Sequence, residues 1–319
     1  MDWSGKHALV TGGAGFIGSH VVDGLLSRNA RVTVIDNFST GFREFIPPRE
    51  ALRVIEADLL DVPAIEKSMK GVDFVFHIAA NADIRDNLKQ PRLCIDQNTI
   101  ATQNVLEAMR AQGVSKIAFA STGSVYGEAT VFPTPENAPF PVQTSLYATS
   151  KIAAEGLLSS YAWGFGFQTW TFRFVSLLGP RYTHGHVWDF WRKLRKDPSR
   201  LEVLGDGKQR KSYLHVSDCV AAIFLAVDRA GEQTNVFNLG HDESVIVNES
   251  IAVITRTLGV SPKLEYTGGS RGWVGDSPRI ELDNSRIRSL GWAPTKSIEA
   301  SIVETLRFLG DNPFTEKRS

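Results

Sequence analysis

Cysteine is nearly absent: only Cys94 and Cys219 occur in 319 residues, far apart and in no spacing that a metal site uses. That excludes a disulfide scaffold and a cysteine-rich zinc module, suits a reducing cytoplasm, and leaves both thiols as small buried hydrophobes. Net charge is absent too, with 35 basic and 35 acidic side chains. A balanced chain has no bulk attraction to nucleic acid or to an anionic membrane, so neither partner is expected. No apolar run is long enough to span a bilayer, and the opening MDWSGKHALV lacks the charged-then-apolar layout of a signal peptide. Repeats and low-complexity tracts are missing as well. The expectation is a soluble cytoplasmic protein, long enough to bury a sizeable core in one large or two modest domains.

What is present is an alternation. Short apolar strands are expected at 7–11, 31–36, 52–57, 72–77, 115–120 and 168–174, with helices from the first glycines through 26 and at 62–70, 98–111 and 145–161. Strand and helix alternating at this spacing predict an α/β fold, a parallel sheet with helices on both faces. Continuous apolar strands agree with a sheet covered on both sides. After Gly179-Pro180 the rhythm changes. Residues 181–198 are rich in His, Trp and Arg, 204–208 read as a loop, and 216–229, 235–239 and 247–258 read as helix, strand and helix. Residues 268–278 form a glycine-rich loop. The expected division is a nucleotide-binding domain over 1–175, with elements returning to it at about 212–240, and a smaller domain over 176–319.

Thr11-Gly-Gly-Ala-Gly-Phe-Ile-Gly18 follows the first strand and opens a helix. At this spacing Gly12 permits a tight turn, Gly15 lets a pyrophosphate approach the backbone, and Gly18 lets helix and strand pack closely. The diphosphate would sit on the helix N-terminus, beside Phe16 and Ile17, where free N–H groups favour an anion. Asp36 ends the next strand, with Asn37 after it. An acid there accepts from the adenosine ribose and repels a 2′-phosphate, which points to NAD over NADP. Asp58, followed by Leu59, ends the third strand and reads either as an adenine ligand or as a helix N-cap. Ala79 and Ala80 end the fourth strand, where backbone would line the cofactor, and His77 reads as a packed histidine.

Tyr147 and Lys151 are four apart in a helical segment and share one face. A phenol with a pKa near 10 needs lowering by about three units, on the order of 4 kcal/mol, to act as a base at neutral pH. A neighbouring ammonium and a positive nicotinamide ring would both favour the phenolate. Tyr147 could then take a proton from a sugar hydroxyl while hydride leaves the same carbon. Thr122, at the end of a neighbouring strand in Ser121-Thr-Gly-Ser-Val-Tyr-Gly127, would bond the reacting oxygen. Lys151 could also hold the nicotinamide ribose. His184 and His186 sit two apart without a supporting carboxylate or cysteine, so no metal is expected; their stretch, with Trp188 and Trp191, reads as an aromatic wall or interdomain packing.

The set TGGAGFIGSH, Asp36, HIAA, STGSVYG, YATSK, GPR and GDGKQRKSYLHVSD resembles the extended short-chain dehydrogenase/reductase superfamily, and within it the NAD-dependent nucleotide-sugar epimerase/dehydratase family with its UDP-glucose 4-epimerase-like members. The resemblance runs over nearly the whole chain. It implies a Rossmann doubly wound parallel sheet with a smaller C-terminal α/β substrate domain, tightly held NAD+, and a nucleoside-diphosphate sugar between the two. It also implies a homodimer through 98–111 and 145–161 of each subunit. By position, Thr122 takes the family's Ser/Thr role, Tyr147 the base and Lys151 its partner. Family members that eliminate water carry an Asp-Glu pair directly after that Ser/Thr, and nucleotide-sugar decarboxylases commonly carry a glutamate at the second of these positions. Gly123 and Ser124 stand there instead. The implied reaction is reversible C4 epimerisation through a 4-keto sugar.

On the substrate side the resemblance implies phosphate contacts from Lys211, where the family usually has arginine, and from Arg271 in the RGWVGD stretch that includes Asp276. Ser176 stands where the family usually has a diphosphate-binding asparagine. Asn98 matches a frequent helix asparagine near the site, and Arg85 is placed facing the sugar or its phosphates. UDP leads by resemblance, while the Ser176 departure leaves CDP, GDP and dTDP sugars open. The rival readings are a net C4 redox enzyme, an epimerase acting at another carbon, and an NAD-binding regulator without catalysis.

Overall fold

Along the first strand, β1 (His7–Thr11), side chains go alternately to two layers: Ala8 and Val10 enter one apolar core and Leu9 the other. The same alternation sends Val34 and Ile35 apart, and likewise Phe74 and Val75, and Ala118 and Phe119. A sheet that feeds two cores must be covered on both faces, which is why its strands read as unbroken apolar runs.

The structure is a computed structural model describing residues 1–82, 89–140, 142–272, 277 and 279–312. After β1 come α1 (Phe16–Leu26), β2 (Arg31–Asp36), β3 (Leu52–Glu56), α2 (Val62–Ser68) and β4 (Phe74–His77). Then follow α3 (Pro91–Ile95), α4 (Ala101–Ala111), β5 (Lys116–Ala120), α5 (Leu146–Phe165), β6 (Gln168–Phe174) and β7 (Ser176–Leu178). Next are α6 (His186–Lys196), β8 (Arg200–Val203), β9 (Arg210–Lys211), β10 (Tyr213–His215), α7 (Val216–Arg229) and β11 (Thr234–Leu239). The chain continues through β12 (Val245–Ile246), α8 (Val247–Leu258), β13 (Lys263–Tyr266), β14 (Arg279–Ile280), α9 (Ser285–Ser289) and α10 (Ile298–Asp311).

Seven strands form one parallel sheet in the order β11-β6-β5-β4-β1-β2-β3. The chain runs outward from β1 through β2 to β3, then crosses back to β4 and proceeds the other way. This Rossmann-like reversal opens a crevice at the carboxyl ends of β1 and β4, where ligands bind in such sheets. Helices α1 and α7 pack in the core that holds Val10, and α2, α4 and α5 in the one that holds Leu9. Smaller sheets, β7 with β10, β12-β9-β14 and β8 with β13, lie in the C-terminal half.

One local reading of the sequence differs from the structure, and a second acquires an element that it left unassigned. The helix expected over 98–111 begins earlier, at Pro91 in α3, and passes through a π-helical turn at Asp96–Ile100 before α4. Proline pre-sets the first helical turn, a start signal outweighed in the sequence by the stronger periodicity after Asn98. The stretch 181–198 contains the amphipathic helix α6, whose Val187, Trp188, Phe190, Trp191 and Leu194 are buried on one face. His186 stacks on Tyr213 at 4.7 Å, and among the described residues no cluster of three or more His, Cys, Asp or Glu gathers that could hold a metal ion. No described helix is long and apolar enough to cross a membrane.

Candidate active site

The glycine loop closes the crevice on one side. Gly12 has φ +67°, and a Cβ there would lie 2.7 Å from the Ala79 backbone. A Cβ at Gly13 would come within 2.6 Å of Val34, and one at Gly18 would overlap the Gly12 carbonyl oxygen. These glycines are required by the close approach of neighbouring backbone at Gly12 and Gly18 and of the Val34 side chain at Gly13, not by flexibility. Gly15 is the N-cap of α1 and brings no side chain to it, and the first turn holds no acid. Its leading N–H groups, at Phe16, Ile17 and beyond, therefore have no acceptor from the cap side chain or from an acid of the first turn, an arrangement suited to an anion. Gly18→Ala should cost about 1–3 kcal/mol of stability and strip bound dinucleotide, read by melting temperature and by nucleotide released on denaturation.

Asp36, 8% exposed, accepts from the Ala14 amide at 2.9 Å and from the Phe38 amide at 2.8 Å, so its carboxylate is seated against the glycine loop. Asn37 donates to Asp58 at 2.8 Å, and Gln97 and the Leu60 amide donate to the same carboxylate. Burial pushes the Asp58 carboxyl up, but these hydrogen bonds outweigh it and hold the group below the usual carboxylate range. The N-cap of α2 is Asp61, whose side chain accepts from Ala64, so the cap reading of Asp58 does not hold. Leu59 is buried, and its carbonyl accepts from Asn104. Ala79 and Ala80 follow β4 and are partly buried.

His77 is packed between strands and helix. Its Nδ1 lies 2.7 Å from Thr11 Oγ1 and its Nε2 2.9 Å from Thr102 Oγ1, whose hydroxyl donates to the Asn98 carbonyl. Burial lowers its pKa to about 3, which keeps it neutral. Asn98, 1% exposed, donates to the Asn81 carbonyl and to Ser150 Oγ, and accepts from the Asn81 amide. Its amide braces the chain leaving β4 against α5.

Ser145 caps α5 by accepting from the Ala148 amide at 3.1 Å, which starts the helix just before Tyr147. Thr122 follows β5, accepts from the Ser124 amide at 3.1 Å, and hydrogen-bonds the Tyr147 phenol. Lys151, 1% exposed, donates to the Ala120 carbonyl at 2.7 Å and lies over the Phe119 ring at 4.6 Å. Burial pushes the Tyr147 phenol well above its ordinary range, with the Thr122 hydrogen bond opposing it. Burial lowers Lys151 to about 7, with the negative charge of Glu155 opposing it. Hydroxyl, phenol and ammonium are thus brought together at the crevice.

Lys211 and Arg271 are engaged by other parts of the chain. Lys211 donates from Nζ to the Ser277 carbonyl, and Arg271 forms an ion pair with Glu128, in the loop after the Tyr126-Gly127 turn. Ser176 starts β7 and is exposed. Arg85 and Asp276 lie outside the described residues.

A model of the NAD dependent epimerase/dehydratase family matches residues 8–240, which span the glycine cradle, the Thr122–Tyr147–Lys151 set and the whole seven-stranded sheet apart from His7. The chain belongs to that family. A UDP-glucose 4-epimerase of Corynebacterium glutamicum is 30% identical over 315 residues, covering 93% of this chain and 93% of that one. A solved UDP-galactose 4-epimerase is 36% identical with a TM-score of 0.87, covering 96% of this chain and 99% of that one. The UDP-glucose 4-epimerase of Thermotoga maritima, solved with UDP-glucose, is 32% identical with a TM-score of 0.87 over the same shares.

As a member of this NAD dependent family, the chain is an NAD-dependent enzyme. The residues fit the cofactor: an uncapped helix N-terminus, a glycine loop packed so closely on neighbouring backbone that no Cβ fits at Gly12 or Gly18, and an acid at the end of β2. Asp36→Ala should erode the preference for NAD over NADP by roughly tenfold or more, measured by competitive binding; an unchanged preference would show that Asp36 does not set it.

The groups behind the site carry no motif and escape a reading of the sequence. Glu155 on α5 ion-pairs with Arg173 on β6 at 2.7 Å, and Ser121 donates to the same carboxylate. One signal is available for it: an acid four residues after Lys151, and so on the same face of the helix.

Proposed function

We propose that this chain catalyses reversible C4 epimerisation of a nucleoside-diphosphate sugar of the UDP-glucose/UDP-galactose type. The observation that carries this reading is the completeness of the Thr122–Tyr147–Lys151 set together with the two residues after Thr122. A Cβ at Gly123 would lie 3.1 Å from the Phe174 carbonyl oxygen and 3.2 Å from Leu282, so the acid that opens a dehydrating pair would enter only if these neighbours gave way by a few tenths of an ångström. Ser124 offers a hydroxyl in place of the second carboxylate. Elimination therefore lacks its acid and base, and oxidation with return of the hydride is what the site retains.

Gly12, Gly15, Phe16, Ile17 and Gly18 would hold the NAD diphosphate, Asp36 and Asn37 the adenosine ribose, Asp58 and Leu59 the adenine side, and Ala79, Ala80, Tyr147 and Lys151 the nicotinamide half. When bound, NAD supplies a hydride acceptor and donor at C4. Tyr147 stores the proton of the C4 hydroxyl, Thr122 orients that oxygen, and the Lys151 ammonium favours the phenolate. Lys211, Arg271 and Asp276, with Ser176, Asn98 and Arg85, would line the substrate; Lys211 brings a point charge without arginine's two-pronged fork. In this reading 1–175 with the returning 212–240 hold cofactor, and the remainder of 176–319 holds nucleotide sugar.

A homodimer fits the exposed face of α5. A Cβ at Gly156 would meet nothing within 4 Å, and Trp163 is 75% exposed on the same helix, as are Leu93 and Ile100 nearby at 37% and 36%. A cytoplasmic location fits two buried free cysteines. Proton NMR of UDP-galactose, UDP-glucose and their N-acetyl and uronate relatives, with purified protein and no added cofactor, tests the function. Appearance of a C4 epimer supports it. Stoichiometric NADH formation with a stable keto product would replace it with net redox.

A further inference from the structure

The carboxylate of Glu155 sits one helical turn beyond Lys151 and is almost fully enclosed, at 10% exposure against 6% for Arg173. Arg173 grips it with two nitrogens: Nε lies 3.1 Å from Oε1 and Nη2 2.7 Å from Oε2. The remaining arm of Arg173 donates to the Tyr126 hydroxyl at 2.8 Å and to the Glu136 carbonyl at 2.9 Å. Tyr126 in turn donates to Asn238 on β11. Burying such a pair is expensive, and an apolar pair of similar volume would pack this space at least as stably. Packing alone therefore does not account for it.

Its location does. Ser121, which donates to Glu155 Oε1, also donates its amide to the Phe172 carbonyl at 2.8 Å. Ser121 stands between Ala120, whose carbonyl receives the Lys151 ammonium, and Thr122, whose hydroxyl meets the Tyr147 phenol. The backbone segment that Glu155 anchors is the one from which both contacts depart. We propose that Glu155 is a positioning residue for the reaction: held by Arg173, it fixes the end of β5 against α5 and keeps Lys151 and Tyr147 in register with Ala120 and Thr122. This rests on the reading of Tyr147 as the base.

The charge acts in the same direction. Among the described residues, the groups that face Lys151 are Glu155 on α5, Cys94 on α3 and His77 on β4, and His77 is neutral; Tyr147 lies one helical turn before it on the same face. Glu155 faces Arg173 on β6, Ser121 after β5 and Lys151. It is the anion that favours the ammonium. It lies about 6 Å along the helix from Lys151 and about 12 Å from Tyr147, so its removal weakens the ammonium more than it relieves the phenolate. Phenolate should then form at higher pH.

Two variants test this, Ser121→Ala, which leaves the ion pair in place, and the double variant Glu155→Gln with Arg173→Met, which removes both buried charges. For each, kcat and KM for UDP-glucose are measured across pH. Ionisation of Tyr147 is followed separately as the phenolate absorbance difference between each protein and its Tyr147→Phe counterpart. The double variant should lose roughly 10–100-fold in kcat with KM changed less than about threefold. Its acid limb and its phenolate titration should rise together by about half to one pH unit. Ser121→Ala should move the same way by a smaller amount, and it decides alone if the double variant does not fold. A kcat or melting temperature that falls while the pH limb and the titration stay at wild-type values would overturn the proposal. Normal turnover by Tyr147→Phe itself would instead overturn the catalytic reading beneath it.

Discussion

Tyr147→Phe is expected to keep its NAD and to lose turnover by about 10²–10⁴-fold, the range that a positioned general base contributes. At the upper end this is roughly 5 kcal/mol of transition-state stabilisation. The substitution removes one oxygen from a partly buried ring, so packing changes little, and the Thr122 hydroxyl keeps its bond to the Ser124 amide. Wild-type nucleotide content with turnover lost is the signature of a missing base. Near-normal kcat would remove the phenol from the mechanism. The surrounding protein by itself drives this phenol up, through burial, and the Thr122 hydrogen bond only partly opposes that. The phenolate therefore depends on positive charge brought close to it.

Lys151→Met follows from the same electrostatics and should lower kcat by about 10²–10³-fold, with the acid limb of the kcat profile displaced upward. Methionine fills most of the lysine stem's volume while removing the ammonium and its bond to the Ala120 carbonyl. The sign is fixed by charge: an ammonium beside a phenol lowers the phenol's pKa, so without it the active phenolate appears only at higher pH. Steady-state kinetics from about pH 6 to pH 10 measure it, a range that takes in both the lowered Lys151 ammonium and the ordinary phenol. A uniform fall in kcat with an unmoved limb would assign Lys151 to ribose binding alone.

The parts of the site that are legible in the sequence are those set by short-range spacing. Gly12, Gly15 and Gly18 are diagnostic because the turn, the crossing and the helix start all lie within one loop, and the clashes at Gly12 and Gly18 give the reason. Tyr147 and Lys151 share a face because four residues make about one turn. What the sequence hides is set by partners far along the chain. Glu155 meets Arg173 and Ser121, and Arg271 meets Glu128, through folds of the chain that no local spacing encodes. Asp58 is ambiguous between two uses in the sequence because Asp61, three residues on, can also cap α2 and does. Helix α6 is obscured by its own composition: histidine, glycine and tryptophan read as an aromatic wall with no assigned element until Val187, Trp188, Phe190, Trp191 and Leu194 are placed on one buried face.

The most direct test of oxidation and return at one carbon uses UDP-galactose carrying deuterium at C4, incubated with the purified protein in ordinary water with no cofactor added. Hydride that leaves and returns within one site never meets solvent. The expected result is UDP-glucose with the deuterium retained at C4 and no net NADH. Epimer in which the C4 deuterium has been replaced by protium from water would contradict hydride return, and with it the concerted roles of Thr122, Tyr147 and Lys151.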